Sequence, residues 1–151
     1  LFSAATQVGG VIAGAPDAQI AALHDYGDAL GIAFQIVDDI LDYGGNSAVI
    51  GKNTGDDFRD RKLTLPVIHA ISKAEAEERA FWVRVIEKGD QRDGDLEKAL
   101  ALMNTHQSIP YARESALAWA KKAKIALLNL PKSDLRETLL ELADFVVERV
   151  A

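Results

Sequence analysis

The sequence predicts an all-α protein, a helical bundle forming a single domain. Apolar residues recur at helical spacing from end to end, and no stretch shows the alternation of a strand. The chain has 151 residues, 48% hydrophobic and 26% charged, enough to bury a real core. It contains no cysteine, which excludes a disulfide frame or thiolate metal site and suits a reducing cytoplasm. The net charge of −6 argues against general nucleic-acid binding, which needs a basic footprint.

In chain order, Leu1 to Ala13 reads as a buried small-residue helix, with Ala4, Ala5, Gly9, Gly10 and Ala13 allowing close helix approach. Leu1 to Gly14 carries no charge, is too short to span a membrane and lacks the basic start of a secretory signal. It resembles the latter part of a helix, so a fragment of a longer protein is expected. Gly14-Ala-Pro16 ends it, and Pro16 or Asp17 opens a long helix running to about Tyr43. Gly27 and Gly31 each cost this helix ~1 kcal/mol against alanine, which marks a place where another backbone or a ligand comes close.

Gly44 to Arg61 is rich in Gly, Asn and Asp and is expected to be the one long unstructured segment, with Lys52, Arg59, Arg61 and Lys62 in or just after it. Thr64 is the expected N-cap of a helix from Leu65 to Lys73, with Pro66 in its first turn. Further helices are expected from Ala74 to Lys88, closed by Gly89, and from Asp93 or Asp95 to His106. Another runs from Ser108 to about Leu130, burying Ala116, Leu117, Ala120, Ala123, Ala126 and Leu127, and Pro131 stops it. Ser133 caps a last helix with Leu135, Leu139, Leu142, Ala143, Val146, Val147 and Val150 on its apolar side.

The chemistry concentrates on the long helix. At ~100° per residue, Ala29, Ile32, Ala33, Ile36, Val37, Ile40 and Leu41 fill one broad apolar side. Gly31, Gln35, Asp38, Asp39 and Asp42 fall on the opposite arc. Carboxylates three or four positions apart lie ~5–6 Å from one another, a repulsion of about 3 kcal/mol per pair at an effective dielectric near 20. Asp42 also sits in a last turn, where negative charge opposes the helix dipole. A cation would offset both costs, and Mg²⁺ suits oxygen ligands and bridges carboxylates to substrate phosphates. Taken alone, D-x-x-D spacing is more often a solvated acidic face. The lysines that follow shift the balance, because a loop carrying Lys52, with Lys62 at its far end, can close on a metal-held diphosphate.

The series Phe34-Gln-Ile-Val-Asp-Asp-Ile-Leu-Asp42, Gly51-Lys52, Gly55-Asp-Asp57 and Lys62-Leu-Thr-Leu-Pro66 resembles the second half of a trans-polyprenyl diphosphate synthase, the family of farnesyl, geranylgeranyl and octaprenyl or decaprenyl synthases. The resemblance covers essentially the whole chain, residues 1–151 being its C-terminal part. It implies an isoprenoid synthase fold around a central cavity and a head-to-tail condensation of isopentenyl diphosphate with an allylic diphosphate. Asp38, Asp39 and Asp42 would be the second aspartate-rich motif, holding Mg²⁺. Lys52 and Lys62 would contact diphosphate, Gln35 would lie beside the reacting centre, and Phe34 would line the cavity. A homodimer is implied too, with no membrane span beyond peripheral association through a lipid product. Arg61 stands where the family usually has Gly. The first aspartate-rich motif lies upstream in the family and is absent from these residues, so the isolated chain is expected to be inactive.

Two other classes remain: a non-catalytic subunit of a heteromeric synthase, whose acidic motif would be degraded, and a terpene cyclase on a similar fold. His24, His69 and His106 have no metal-ligand spacing and read as packing or surface residues. Trp82 and Trp119 read as core or interface anchors, Lys121, Lys122 and Lys124 as a solvated face, and Arg59-Asp60-Arg61 as a loop ion-pair cluster.

Overall fold

A computed structural model describes residues 1–44 and 54–150. Among the described residues there is no strand. The helices are α1 (Phe2–Ile12), α2 (Asp17–Gly44), α3 (Asp56–Arg59), α4 (Leu65–Lys73), α5 (Ala76–Trp82), α6 (Asp95–Thr105), α7 (Ser108–Leu127) and α8 (Asp134–Glu148). A π-helical turn, Val83–Glu87, continues α5. The chain divides into two compact units, Leu1–Val37 with Glu114–Ala151, and Asp38–Arg113.

In the first unit, α1 and the start of α2 meet through small residues. A Cβ on Gly27 would overlap Thr6 Oγ1 and lie 2.6 Å from the Phe2 carbonyl oxygen, and one on Gly10 would lie 2.9 Å from Leu23 Cδ1. Gly27 thus admits a neighbouring backbone, as the sequence predicts, whereas Gly10 and Gly31 are approached first by the side chains of Leu23 and Phe2. Thr6 Oγ1 reinforces the contact by donating to the Leu23 carbonyl at 2.6 Å. The expectation that α1 is buried fails, for only Gly10 is, and Val8, Val11 and Ile12 are exposed. Ala4, Ala5, Gly9 and Ala13, expected to allow close approach, are exposed too; the packed face is Gly10 with the half-buried Ser3, Thr6 and Gln7.

The buried stripe of α7 in this unit is Ala116, Ala120, Ala123 and Leu127, spaced four, three and four. That narrow seam leaves Leu117, about 100° away from Ala116, exposed, contrary to expectation. Along α8 the seam is Ala143, Val146 and Val147, with Val150 buried just beyond its end, and Leu135 and Leu142 are likewise exposed. Ser133 does cap α8, its hydroxyl accepting from the Arg136 N–H at 3.2 Å.

Tyr26 is fully buried and its phenol donates to the Leu139 carbonyl at 2.9 Å. Burial raises its pKa to about 12, from 10.0. Its protonated form therefore contributes stability that is complete below pH 10 and is lost as pH rises through 12. Tyr26→Phe is expected to lose about 1 kcal/mol at neutral pH and to flatten the alkaline fall in stability. Urea unfolding at neutral and alkaline pH checks this, and an unchanged alkaline slope would contradict it.

The second unit packs around Tyr43, Phe58, Val67, Phe81, Trp82, Val85 and Met103, all buried. Trp82 is thus a core residue, as expected. Where an unstructured segment was expected, α3 forms: Gly55 takes φ 85° just before it, and Asp56 and Asp57 place negative charge at its N-terminus. Thr64 occupies the N-cap position of α4 but makes no capping bond; its hydroxyl is buried instead beside the Tyr43 phenol. The helix expected to Lys88 changes to π geometry after Trp82 and stops at Gly89, whose φ is 69°.

Candidate functional site

Asp38, Asp39 and Asp42 all lie on the part of α2 belonging to the second unit. They do not share one exposed face. Asp38 is exposed, Asp39 is buried and Asp42 is half-buried. Asp38 and Asp39 diverge by ~100° about the helix axis, and the second of them turns inward here.

Asp42 joins α2 to the next element. Its Oδ2 accepts from the Asp57 N–H at 3.0 Å, and its carbonyl accepts from the Gly55 N–H at 2.9 Å. Asp57 in turn accepts from Lys62 Nζ at 2.7 Å, and its carbonyl accepts from the Lys62 N–H at 2.9 Å. Asp57 therefore links the acidic end of α2 to the lysine that the sequence singles out. Burial raises the Asp42 pKa; the Asp57 N–H opposes this, while the Asp57 and Asp56 charges add to it. The Tyr43 phenol is raised as well, by burial above all. The hydrogen bond that Lys62 Nζ donates to Asp57 raises the Lys62 pKa. Among the described residues, negative charge exceeds positive at this end of α2.

Among the described residues no group of three or more His, Cys, Asp or Glu side chains converges on a metal position. Mg²⁺ does not require one, since it keeps several waters and usually takes one or two protein carboxylates together with substrate phosphates. The oxygen-only donors Asp38 and Asp42, one helical turn apart, suit that ion.

Phe34 and Gln35 belong to the first unit. Both line a hollow of about 540 Å³ together with Phe2, Gly31 and Ile32. The Phe34 ring lies 5.5 Å from that of Phe2, and the Arg149 guanidinium lies 5.8 Å from its centre. Lys52 lies outside the described residues. The sequence reading did not single out Asp57 or Arg149. Asp57 was visible only as part of Gly55-Asp-Asp57 within the expected loop.

Arg61 adopts φ 58°, the left-handed region that favours Gly, at the position where the resemblance has Gly. The expected ion-pair cluster around it does not form as a unit: Arg59 pairs with Asp56 at 2.8 Å and Asp60 with Lys62 at 3.5 Å. His24 is exposed, and the other two histidines make structural contacts. His69 shares a hydrogen bond with the buried Ser108 hydroxyl at 3.1 Å, and His106 bonds Glu78 at 2.8 Å.

Solved structures place this arrangement in a class. A decaprenyl diphosphate synthase from Rhodobacter capsulatus superposes with a TM-score of 0.92 at 65% identity, over 99% of this chain and 46% of that one. A polyprenyl synthase from Caulobacter crescentus, complexed with calcium and isoprenyl diphosphate, gives 0.88 at 45% identity, over 99% of this chain and 46% of that one. The fold is therefore the all-α isoprenoid synthase fold. In sequence, an octaprenyl diphosphate synthase from Haemophilus influenzae is 42% identical over 149 residues, which is 99% of this chain and 45% of the relative. The polyprenyl synthetase family profile matches residues 1–103, and the chain belongs to that family. It spans about half the length of the curated relatives it matches. Among the described residues no helix is long and apolar enough to cross a membrane.

Proposed function

We propose that these residues form the C-terminal part of one synthase domain, which extends a trans-polyprenyl diphosphate by condensing isopentenyl diphosphate with an allylic diphosphate. The observation that carries this reading is the Asp42–Asp57–Lys62 link, which puts a half-buried carboxylate and a phosphate-binding cation in one cluster. Asp38, Asp39 and Asp42 are the residues that would hold Mg²⁺. When bound, the ion neutralises diphosphate oxygens and stabilises the charge that builds on them as the allylic carbon–oxygen bond breaks. Lys62 transfers its ammonium from Asp57 to a phosphate oxygen, and Lys52 joins it on the strength of the resemblance alone. Gln35 lies beside the reacting carbons and Phe34 lines the apolar hollow that receives the prenyl chain. Diphosphate departs to leave an allylic cation, the double bond of isopentenyl diphosphate attacks that cation, and a proton is lost from the resulting carbocation. A cytoplasmic homodimer completes the proposal.

The test is product analysis with a chain of full family length carrying these residues, supplied with isopentenyl and farnesyl diphosphates and Mg²⁺. A longer acyclic diphosphate is expected, and none from the 151 residues by themselves. A cyclised hydrocarbon, or elongation that ignores removal of Mg²⁺, would contradict the proposal.

A further inference from the structure

A second cleft, of about 440 Å³, opens within the Asp38–Arg113 unit. Its apolar lining comes from Leu63, Ile71, Trp82, Val83 and Ile86. Its charged lining is Arg61, Arg79 and Glu87, a net positive set. The volume lies within the range of small-molecule sites, and an apolar floor with a few charged groups is their usual make-up.

Three features make this more than a surface dent. The guanidinium groups of Arg61 and Arg79 make no ion pair or hydrogen bond among the described residues, although acidic side chains are abundant nearby in the sequence. Arg61 is held at φ 58°, where a side chain is disfavoured, and its guanidinium lies against Gly89, a Cβ on which would be 2.6 Å from Nη1. The wall carrying Val83 and Ile86 is the π-helical turn, a rare geometry often found at functional sites. Arg61 and Leu63 also flank Lys62, whose ammonium turns instead to Asp57.

We propose that this cleft binds a small amphiphilic anion, its phosphate or carboxylate head held by Arg61 and Arg79 and its branched apolar body laid over Leu63, Ile71, Val83 and Ile86. Arginine is suited to the head because its planar fork can donate two parallel hydrogen bonds to such an oxyanion. The apolar residues select against inorganic phosphate, and the arginines select against an uncharged alcohol.

Trp82 lines the cleft, and Trp119→Phe leaves it the chain's single tryptophan. Geranyl monophosphate titrated into that variant without Mg²⁺ should change Trp82 fluorescence saturably. Inorganic phosphate and geraniol should each bind at least about tenfold more weakly. Arg79→Gln should weaken binding roughly tenfold. Arg61→Gly should do the same without unfolding the chain, because its backbone already suits Gly. Asp38→Asn should leave the affinity unchanged, which separates this site from the acidic one. The proposal is overturned by the absence of a saturable signal, by unchanged affinity in both arginine variants, or by loss of binding in Asp38→Asn.

Discussion

Asp38→Ala is expected to lower prenyl transfer by about three orders of magnitude in a chain of full family length, if Asp38 holds Mg²⁺ as proposed. The size follows from the chemistry. Groups that stabilise charge on a leaving oxygen are worth roughly 10²–10³ in rate when one donor is removed, and a metal ligand acts on the whole ion. The charge on diphosphate develops as the bond breaks, so the loss should fall mainly on kcat. Asp38 is exposed, so the substitution leaves the buried core of the second unit intact, and circular dichroism should be unaltered. A near-normal kcat in that variant would remove Asp38 from the metal site.

Asp95→Ala has the largest expected effect on stability, a loss of about 3 kcal/mol at neutral pH. Asp95 is 7% exposed. It accepts two hydrogen bonds from Arg84, at 2.9 and 2.6 Å, and a third from the Arg92 N–H at 2.7 Å. These tie the π-helical turn to the start of α6, and truncation leaves the Arg84 guanidinium short of its carboxylate partner. The Arg84 hydrogen bonds hold the Asp95 carboxyl below the usual carboxylate range, with the Arg92 N–H acting in the same sense. A depressed pKa in the folded state means the contribution is complete above the unfolded value, about 3.9, and is lost as pH falls through the folded value. The gap in urea stability between the wild-type chain and Asp95→Ala should therefore narrow below pH 4. A gap that stays constant into strong acid would show that the carboxylate charge is not what matters.

Much of the architecture was legible because helix ends carry chemical punctuation. Leu65 to Lys73 follows from Thr64 and Pro66, Ser133 announces α8, and Gly89 marks the left-handed turn that ends the helix before it. Gly27 foretold a close backbone approach, although only the structure identifies the neighbour as Phe2. Burial was less legible. Helical spacing defines a broad apolar arc, but alanine seams such as Ala116, Ala120 and Ala123 use only part of it, so Leu117, Leu135 and Leu142 lie outside. At the candidate site, the residue types and their order could be read from the motif. The role of Asp57 could not, because it arises from a fold-back that brings a helix N-terminus against Asp42. The inward turn of Asp39 likewise depends on which side of α2 the rest of its unit covers.

The most direct test of the proposed site is calorimetric titration of pyrophosphate in the presence and absence of Mg²⁺, repeated with Asp38→Asn, Lys62→Ala and the double variant. If the acidic end of α2 and Lys62 grip one metal-bridged diphosphate, binding requires Mg²⁺, each substitution weakens it, and the double variant loses less than the sum of the two losses. Pyrophosphate affinity indifferent to Mg²⁺, or to Lys62→Ala, would contradict the account.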